Sequence, residues 1–198
     1  MTRESIFATH AQLLRAQGLA VLPTNGKVPL IAGWRKWRGL PSAETIDRFA
    51  RQFPDANIAI LPGPSRLFIA DVDLAGQTSE TEDLFGRTPL HVATSRGRHL
   101  YYRRVEGCDA LPPNLATIGL KVDLKTGNSI VIVPPSRHQS GAIYRHEDCD
   151  WNALCELPPP NLDRLRSALE KRPAADDRYV ASQRYVEGQR GLALNRLL

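Results

Sequence analysis

Apolar positions recur along the chain at two spacings, and each spacing predicts a different element. Residues 4–17 place Ile6, Leu13 and Leu14 toward one side with Gly18 as a stop, predicting a helix. A second helix begins at Ser42, an N-cap with Glu44 in the first turn. Ile46, Phe49, Ala50 and Phe53 follow at i, i+3, i+4 and i+7. A short helix is expected near residues 80–85. After the Pro158-Pro159-Pro160 break, Leu162, Leu165, Ala168 and Leu169 predict one more. Strands are expected at 19–23, 57–61, 65–74, 89–94, 99–104 and 118–125. In the last, Leu120, Val122 and Leu124 face one way and Lys121, Asp123 and Lys125 the other. Stretches 57–61 and 65–74, separated by little more than Pro62-Gly63-Pro64, are expected to pair antiparallel. Residues 126–129 read as a hairpin turn and the β-branched run 130–133 as a buried central strand. The fold class is α+β: a mixed, mostly antiparallel sheet with helices packed behind and polar chemistry on one open face. Residues 1–170 are expected to form one domain. Residues 171–198, charged around Pro173-Ala174-Ala175, read as a linker and helical tail, or the start of a further domain.

Composition narrows the class. With 198 residues and 42% hydrophobic content, the chain can bury one sizeable core. No apolar stretch approaches the roughly 20 residues that cross a bilayer, and the charge-mixed N-terminus is not a secretory signal. Three cysteines are too few for a disulfide framework, so a cytoplasmic, reducing location is expected. The net charge of +5 suits a polyanionic partner without requiring one. Trp34 and Trp37 flank Arg35 and Lys36, an arrangement suited to stacking on bases while cations meet phosphates. The competing reading has the indoles capping the core, and at least one is expected there.

Three short signals carry candidate chemistry. The apolar run 67–70 ends on Asp71-Val72-Asp73, which as a strand turns both carboxylates to one side. Paired carboxylates repel, and a divalent cation is the simplest way to hold them together. Asp-x-Asp is common, so this motif alone does not decide the matter. Ser95-Arg96-Gly97-Arg98-His99 is a glycine-containing cationic turn with backbone N–H groups and guanidinium forks suited to a triphosphate. Asp123 between Lys121 and Lys125 is either a surface ladder or part of a site holding both metal and anion. Ser136, Arg137 and His138 lie where a strand end meets a loop, a place for anion contacts. His138, His146, Cys149 and Cys155 carry zinc-ligand chemistry but lack a tight Cys-x-x-Cys. Zinc is therefore not expected, and the cysteines read as small core hydrophobes.

In this order the three signals resemble the archaeo-eukaryotic primase superfamily. The wider context is similar to its bifunctional primase/polymerase (prim-pol) branch, found in plasmid, phage and other mobile replicons. Gly26-Lys27-Val28-Pro29 with Gly33-Trp34, Asn57-Ile58-Ala59-Ile60-Leu61, Gly97-Arg98-His99-Leu100-Tyr101-Tyr102, and Pro134-Pro135-Ser136 with Gly141 and Tyr144 carry the likeness. It spans about residues 18–169. Arg96 stands where a second glycine is usual, and Asn128-Ser129 where Gly-Tyr is common. The resemblance implies template-directed nucleotidyl transfer: primer synthesis, DNA-dependent DNA polymerisation, or both. It implies that Asp71, Asp73 and Asp123 hold two divalent ions, Mg²⁺ or Mn²⁺, and that His99 binds the triphosphate with help from Ser95. Charge and strand face add Arg98, Lys121 and Lys125 as candidate nucleotide contacts, and their place at a strand end adds Ser136 and His138. The expected partners are a single-stranded DNA template (Arg35, Lys36 and Trp37 as candidate contacts), ribo- or deoxyribonucleoside triphosphates, and a helicase domain or protein. Two rival readings are a non-catalytic origin-binding initiation module and a metal-dependent nuclease.

Overall fold

In the computed structural model, which describes residues 5–171, the chain first lays α1 (Ile6–Ala16) beside a hairpin of β1 (Val21–Asn25) and β2 (Val28–Pro29). Then come α2 (Ala43–Gln52), β3 (Asn57–Ile60), β4 (Leu67–Val72), α3 (Thr78–Phe85), β5 (His91–Ala93) and β6 (Arg98–Arg103). The chain continues through β7 (Val122–Lys125), β8 (Val131–Ile132), β9 (Arg145–Glu147) and α4 (Leu162–Glu170). The expected linker and tail lie outside the described residues from position 172 onward. The α+β class holds. Instead of one mixed sheet, however, the described residues form two, ordered β2-β1-β3-β8 and β7-β4-β6-β5-β9, with every named pairing antiparallel.

The division into two sheets corrects two expectations. β3 and β4 are not a pair: β3 lies between β1 and β8, and β4 between β6 and β7. Residues 126–129 are likewise no hairpin, because β7 and β8 belong to different sheets. Prolines at 62 and 64 deny the first link a hairpin ladder, and Arg66, in the left-handed region at φ 57°, turns the chain into the second sheet. The two crossings lie against each other, with the Gly63 N–H donating to the Gly127 carbonyl at 3.0 Å. A Cβ on Gly63 would stand 2.6 Å from that oxygen, so glycine is required where the links meet. Of the run 130–133, residues 131–133 are buried as expected and Ile130 only partly, but the strand is two residues long and lies at a sheet edge rather than its centre.

Alternation along β4 divides the core. Leu67 and Ile69 pack with Leu22, Ile58, Val92 and Tyr101 between the sheets and beneath α1 and α2. Phe68, Ala70 and Val72 pack with Phe85, Leu100, Tyr102 and Leu165 against α3 and α4. Ser42 caps α2 by accepting from the Thr45 N–H at 3.2 Å, and Ile46 and Phe49 are its buried face. Helix α1 buries Phe7, Ala11 and Leu14 at i, i+4 and i+7. Leu13, one residue or about 100° away, is on the outer side and 65% exposed, contrary to the expected apolar side. Cys108 is core as expected and Cys149 half-buried, but Cys155 is exposed. Gly97 fixes where the second sheet ends: a Cβ there would come within 1.7 Å of the Val72 carbonyl oxygen. Only a glycine lets the 94–97 turn lie on the end of β4.

Candidate active site

The register of the second sheet places three titratable side chains in one line. Asp71 on β4 is the direct partner of His99 on β6 and of Asp123 on β7. Cross-strand partners share a face, here the one bearing Leu67 and Ile69 and turned toward the first sheet. This is not the open face expected: the line is sheltered at His99, 5% exposed, and opens progressively toward the β7 edge, the Asp71 side chain being 25% exposed. The Asp123 side chain is 47% exposed there. Two carboxylates side by side destabilise the sheet unless a cation lies between them. Lys125, two residues beyond Asp123 on the same face, supplies it. Its Nζ is 2.7 Å from Asp123 Oδ2 and 3.7 Å from Asp71 Oδ2.

Asp71 has further partners. His99 Nε2 lies 3.3 Å from Asp71 Oδ1. Burial pushes the Asp71 carboxyl up, but hydrogen bonding to His99 and the charges of His99, Lys125 and Lys27 outweigh it. The net effect holds the group below its ordinary value. It is therefore an anion at neutral pH. The influence of Lys27 is informative, because Lys27 is in the β1–β2 turn of the other sheet, so that hairpin overlooks the carboxylates. The His99 ring is packed by Tyr101 (centroids 6.4 Å) and Tyr144 (5.8 Å), and its Nδ1 is buried without a hydrogen-bond partner. Burial, followed by the Asp71 charge, pushes the Tyr144 hydroxyl up to about 12, so it stays protonated.

Beside this line is a cavity of about 740 Å³ bounded by the β1–β2 turn, the Ser95-Arg96 turn and the 137–144 loop. Lys27, Arg96 and Arg137 reach it from three separate segments, with Ser95, His138 and Tyr144. Arg96 also lies 3.9 Å from Asp73. Of these, Lys27 and Tyr144 are visible in the sequence only as parts of a resemblance, whereas Arg96 is legible as one of the two cations of the Ser95–His99 turn. The basic residue in a glycine turn, Gly26-Lys27, is the available signal. Nothing in the sequence says that this hairpin faces β4.

The structure does not bring every candidate into the site. Asp73 is one residue past the end of β4, its N–H donating to the Lys121 carbonyl at 2.9 Å, and its side chain is 54% exposed. Lys121 is exposed. Arg98 alternates to the opposite face from His99, where Glu147 holds its guanidinium in two hydrogen bonds of 2.5 and 3.2 Å. Ser136 is fully buried: its Oγ accepts from the Ile58 N–H at 2.8 Å and donates to the Ile58 carbonyl at 3.2 Å, tying a loop to β3. Both indoles join the core side: Trp34 is 8% exposed and Trp37 stacks on Phe49. Arg35 covers Trp34 at 4.4 Å, and Lys36 is exposed. The four residues weighed for zinc are dispersed in their contacts. His138 bonds Ser140, His146 packs edge-on to Trp151, Cys149 donates to the His91 carbonyl and Cys155 to that of Asn152.

Among the described residues, no three His, Cys, Asp or Glu side chains are already gathered as a metal-ligand set. The donor chemistry of the pair nevertheless fits a divalent ion. Asp71 and Asp123 are adjacent hard-oxygen groups, and an ammonium already stands between them as a cation would. Asp73, on the same strand end, is the nearest further carboxylate in sequence.

An α+β domain with two antiparallel sheets, an acidic register line and a cationic cavity beside it defines a class suited to handling phosphate esters. The chain belongs to the bifunctional DNA primase/polymerase N-terminal (Prim-Pol) family, whose description matches residues 11–160. No curated protein matches the chain. Membership implies nucleotidyltransferase activity of the primase/polymerase type in replication, with DNA and nucleotides as substrates and divalent metal in general use. No helix among the described residues is long and apolar enough to cross a membrane.

Proposed function

We propose that this domain performs template-directed nucleotidyl transfer on single-stranded DNA, as primase, DNA polymerase or both, in a plasmid, phage or other mobile replicon. The observation that supports it is the register line Asp123–Asp71–His99 beside a cavity lined by Lys27, Arg96 and Arg137. Asp71 and Asp123 would hold the divalent ions, Mg²⁺ or Mn²⁺, with Asp73 as third donor. Once bound, such ions supply charge neutralisation and activation of the attacking hydroxyl in an in-line phosphoryl transfer.

The chain's own residues do the rest. His99 orients Asp71: its ring is turned to that carboxylate and screened from the cavity by Tyr144, so it acts as a positioning residue. Lys27, Arg96 and Arg137, with Ser95, bind the triphosphate in the cavity, where fixed cations meet charge without reorganising. With the carboxylates committed to the ions, Lys125, which now neutralises Asp71 and Asp123, would be free to face the same phosphates. Arg98 and Ser136 act structurally. Residues 1–170 would constitute the catalytic unit, and a helicase domain or protein remains the expected partner.

The test is extension of a primed single-stranded template with Mg²⁺ or Mn²⁺ by Asp71→Ala and Asp123→Ala. Both variants should fold, by circular dichroism, and lose extension. Synthesis retained by either one removes the proposed site.

A further inference from the structure

At the far end of the same sheet, where β4 begins and β6 ends, is a second cavity, of about 730 Å³. Leu67 is the register partner of Arg103, and the Arg104 N–H donates to the Arg66 carbonyl at 2.9 Å. Arg66, Arg103 and Arg104 thus meet at one rim, and Arg38 joins them from the opposite wall. No Asp or Glu lines this cavity, and its accessible apolar lining is Leu40, 42% exposed, with the half-buried Leu154.

The charges at this rim are largely unmatched. Arg104 pairs with Asp109, yet its Nε is buried without a hydrogen-bond partner. Among the described residues no carboxylate meets Arg66 or Arg103. Arg38 donates only to the Arg35 and Trp37 carbonyls and, at 3.5 Å, to the Asn128 side chain. Guanidinium groups crowded together without counter-charges raise a local positive potential that favours a polyanion. Arg66 adds a second indication. Its φ of 57° is a conformation that glycine adopts freely and arginine only under strain, so the turn does not explain the side chain. Arg38 also links this rim to the active site. Asn128, in the turn after β7, follows Asp123 by five residues, a span of at most roughly 18 Å.

We propose that this arginine basin binds the phosphodiester backbone of a single-stranded nucleic acid, with unpaired bases against the leucines. The proposal rests on the reading above for the identity of the polyanion, but not on the metal site. Unpaired bases are specified because an apolar lining is useful only to bases free of a partner strand.

The experiment is fluorescence anisotropy of labelled 20-nucleotide oligo(dT) in EDTA, titrated over salt, with the wild type, Arg66→Gly, Arg103→Ala and the double variant. The double variant should bind at least tenfold more weakly. Its slope of log affinity against log salt should be shallower by about 1.4, from about 0.7 for each of the two phosphates no longer neutralised. Arg66→Gly should melt at the same or a higher temperature, separating weakened binding from impaired folding. Double-variant affinity within twofold of wild type at an unchanged slope overturns the proposal. So does binding of a 20-base-pair duplex as tightly as the single strand, or displacement of the oligonucleotide by inorganic phosphate at matched ionic strength. Because metal is absent, Asp71→Ala should bind oligo(dT) normally. Failure of the basin leaves the acidic line standing, and extension retained by Asp71→Ala overturns that line without touching the basin.

Discussion

Asp71 and Asp123 face each other across adjacent antiparallel strands, and the ammonium of Lys125 bridges them at 3.7 and 2.7 Å. A divalent ion entering between these carboxylates must displace that ammonium. Lys125→Met should therefore bind Mn²⁺ more tightly in the absence of nucleotide, by about two- to fivefold. This corresponds to about 0.5–1 kcal/mol, kept small because Asp123 is nearly half exposed and its ion pair is screened. Metal-free Lys125→Met should also melt lower, since the facing carboxylates lose their counter-ion. Titration of Mn²⁺ by electron paramagnetic resonance, with melting curves in EDTA, checks both; equal Mn²⁺ affinity in the two proteins contradicts the displacement.

Gly97 owes its place to contact rather than to backbone freedom. A methyl group there would overlap the Val72 carbonyl oxygen, at 1.7 Å, and the Asp73 carbonyl carbon, at 2.9 Å. Both atoms are backbone of the β4 end, which cannot yield as a flexible side chain could. Gly97→Ala should cost about 1–3 kcal/mol or more, the range for overpacking a close contact. It should also push the Ser95-Arg96 tip away from the cavity. Denaturant melts report the first effect, and a raised nucleotide KM in the surviving folded fraction reports the second. A KM equal to wild type would mean that the turn does not set the position of Arg96.

Much of the site was legible because strand alternation is local. Asp71 beside Val72, and Asp123 between Lys121 and Lys125, announce their faces within a few residues. Pairing is not local. The prolines of Pro62-Gly63-Pro64 argue locally against a hairpin, but nothing there says which strands β3 and β4 join instead, or that Gly63 will meet Gly127, 64 positions away. Arg98 and Ser136 misled for the same reason. Each reads as an anion contact from its own turn, but Glu147 and the Ile58 backbone, both distant in sequence, take their hydrogen-bonding groups. Lys27 failed in the opposite direction, as a turn residue whose role appears only once the first sheet is laid over the second.

Ser136 gives a direct check on that correction. Its hydroxyl is fully buried and both accepts from and donates to the Ile58 backbone. Ser136→Ala leaves the buried Ile58 N–H without that partner, while the Ile58 carbonyl still accepts from the Val133 N–H at 3.0 Å; the lost N–H partner costs about 1–3 kcal/mol. The nucleotide KM should be unchanged at a temperature where the variant is folded. An unaltered melting temperature with a raised KM would return Ser136 to the nucleotide site.

The pair Arg98–Glu147 sets a pH dependence that does not involve the acidic line. Glu147 is held below its ordinary value chiefly by its hydrogen bonds to Arg98; burial opposes this, and the charges of Arg98, His91 and Arg145 add to the lowering. A carboxyl whose folded value is depressed binds its proton more readily in the unfolded chain. Its contribution to stability is therefore complete above the unfolded value of about 4.3 and is lost as pH falls through the folded value beneath it. Glu147→Gln should melt lower than wild type at pH 7. The two melting curves should converge only as pH falls through that depressed folded value, where the wild-type carboxyl also becomes neutral. Because Arg98 and Glu147 tie β6 to β9 on the side away from His99, activity at pH 7 should fall less than stability. A stability gap that stays constant from pH 7 down to the onset of acid unfolding would show that the pair is held by shape rather than by charge.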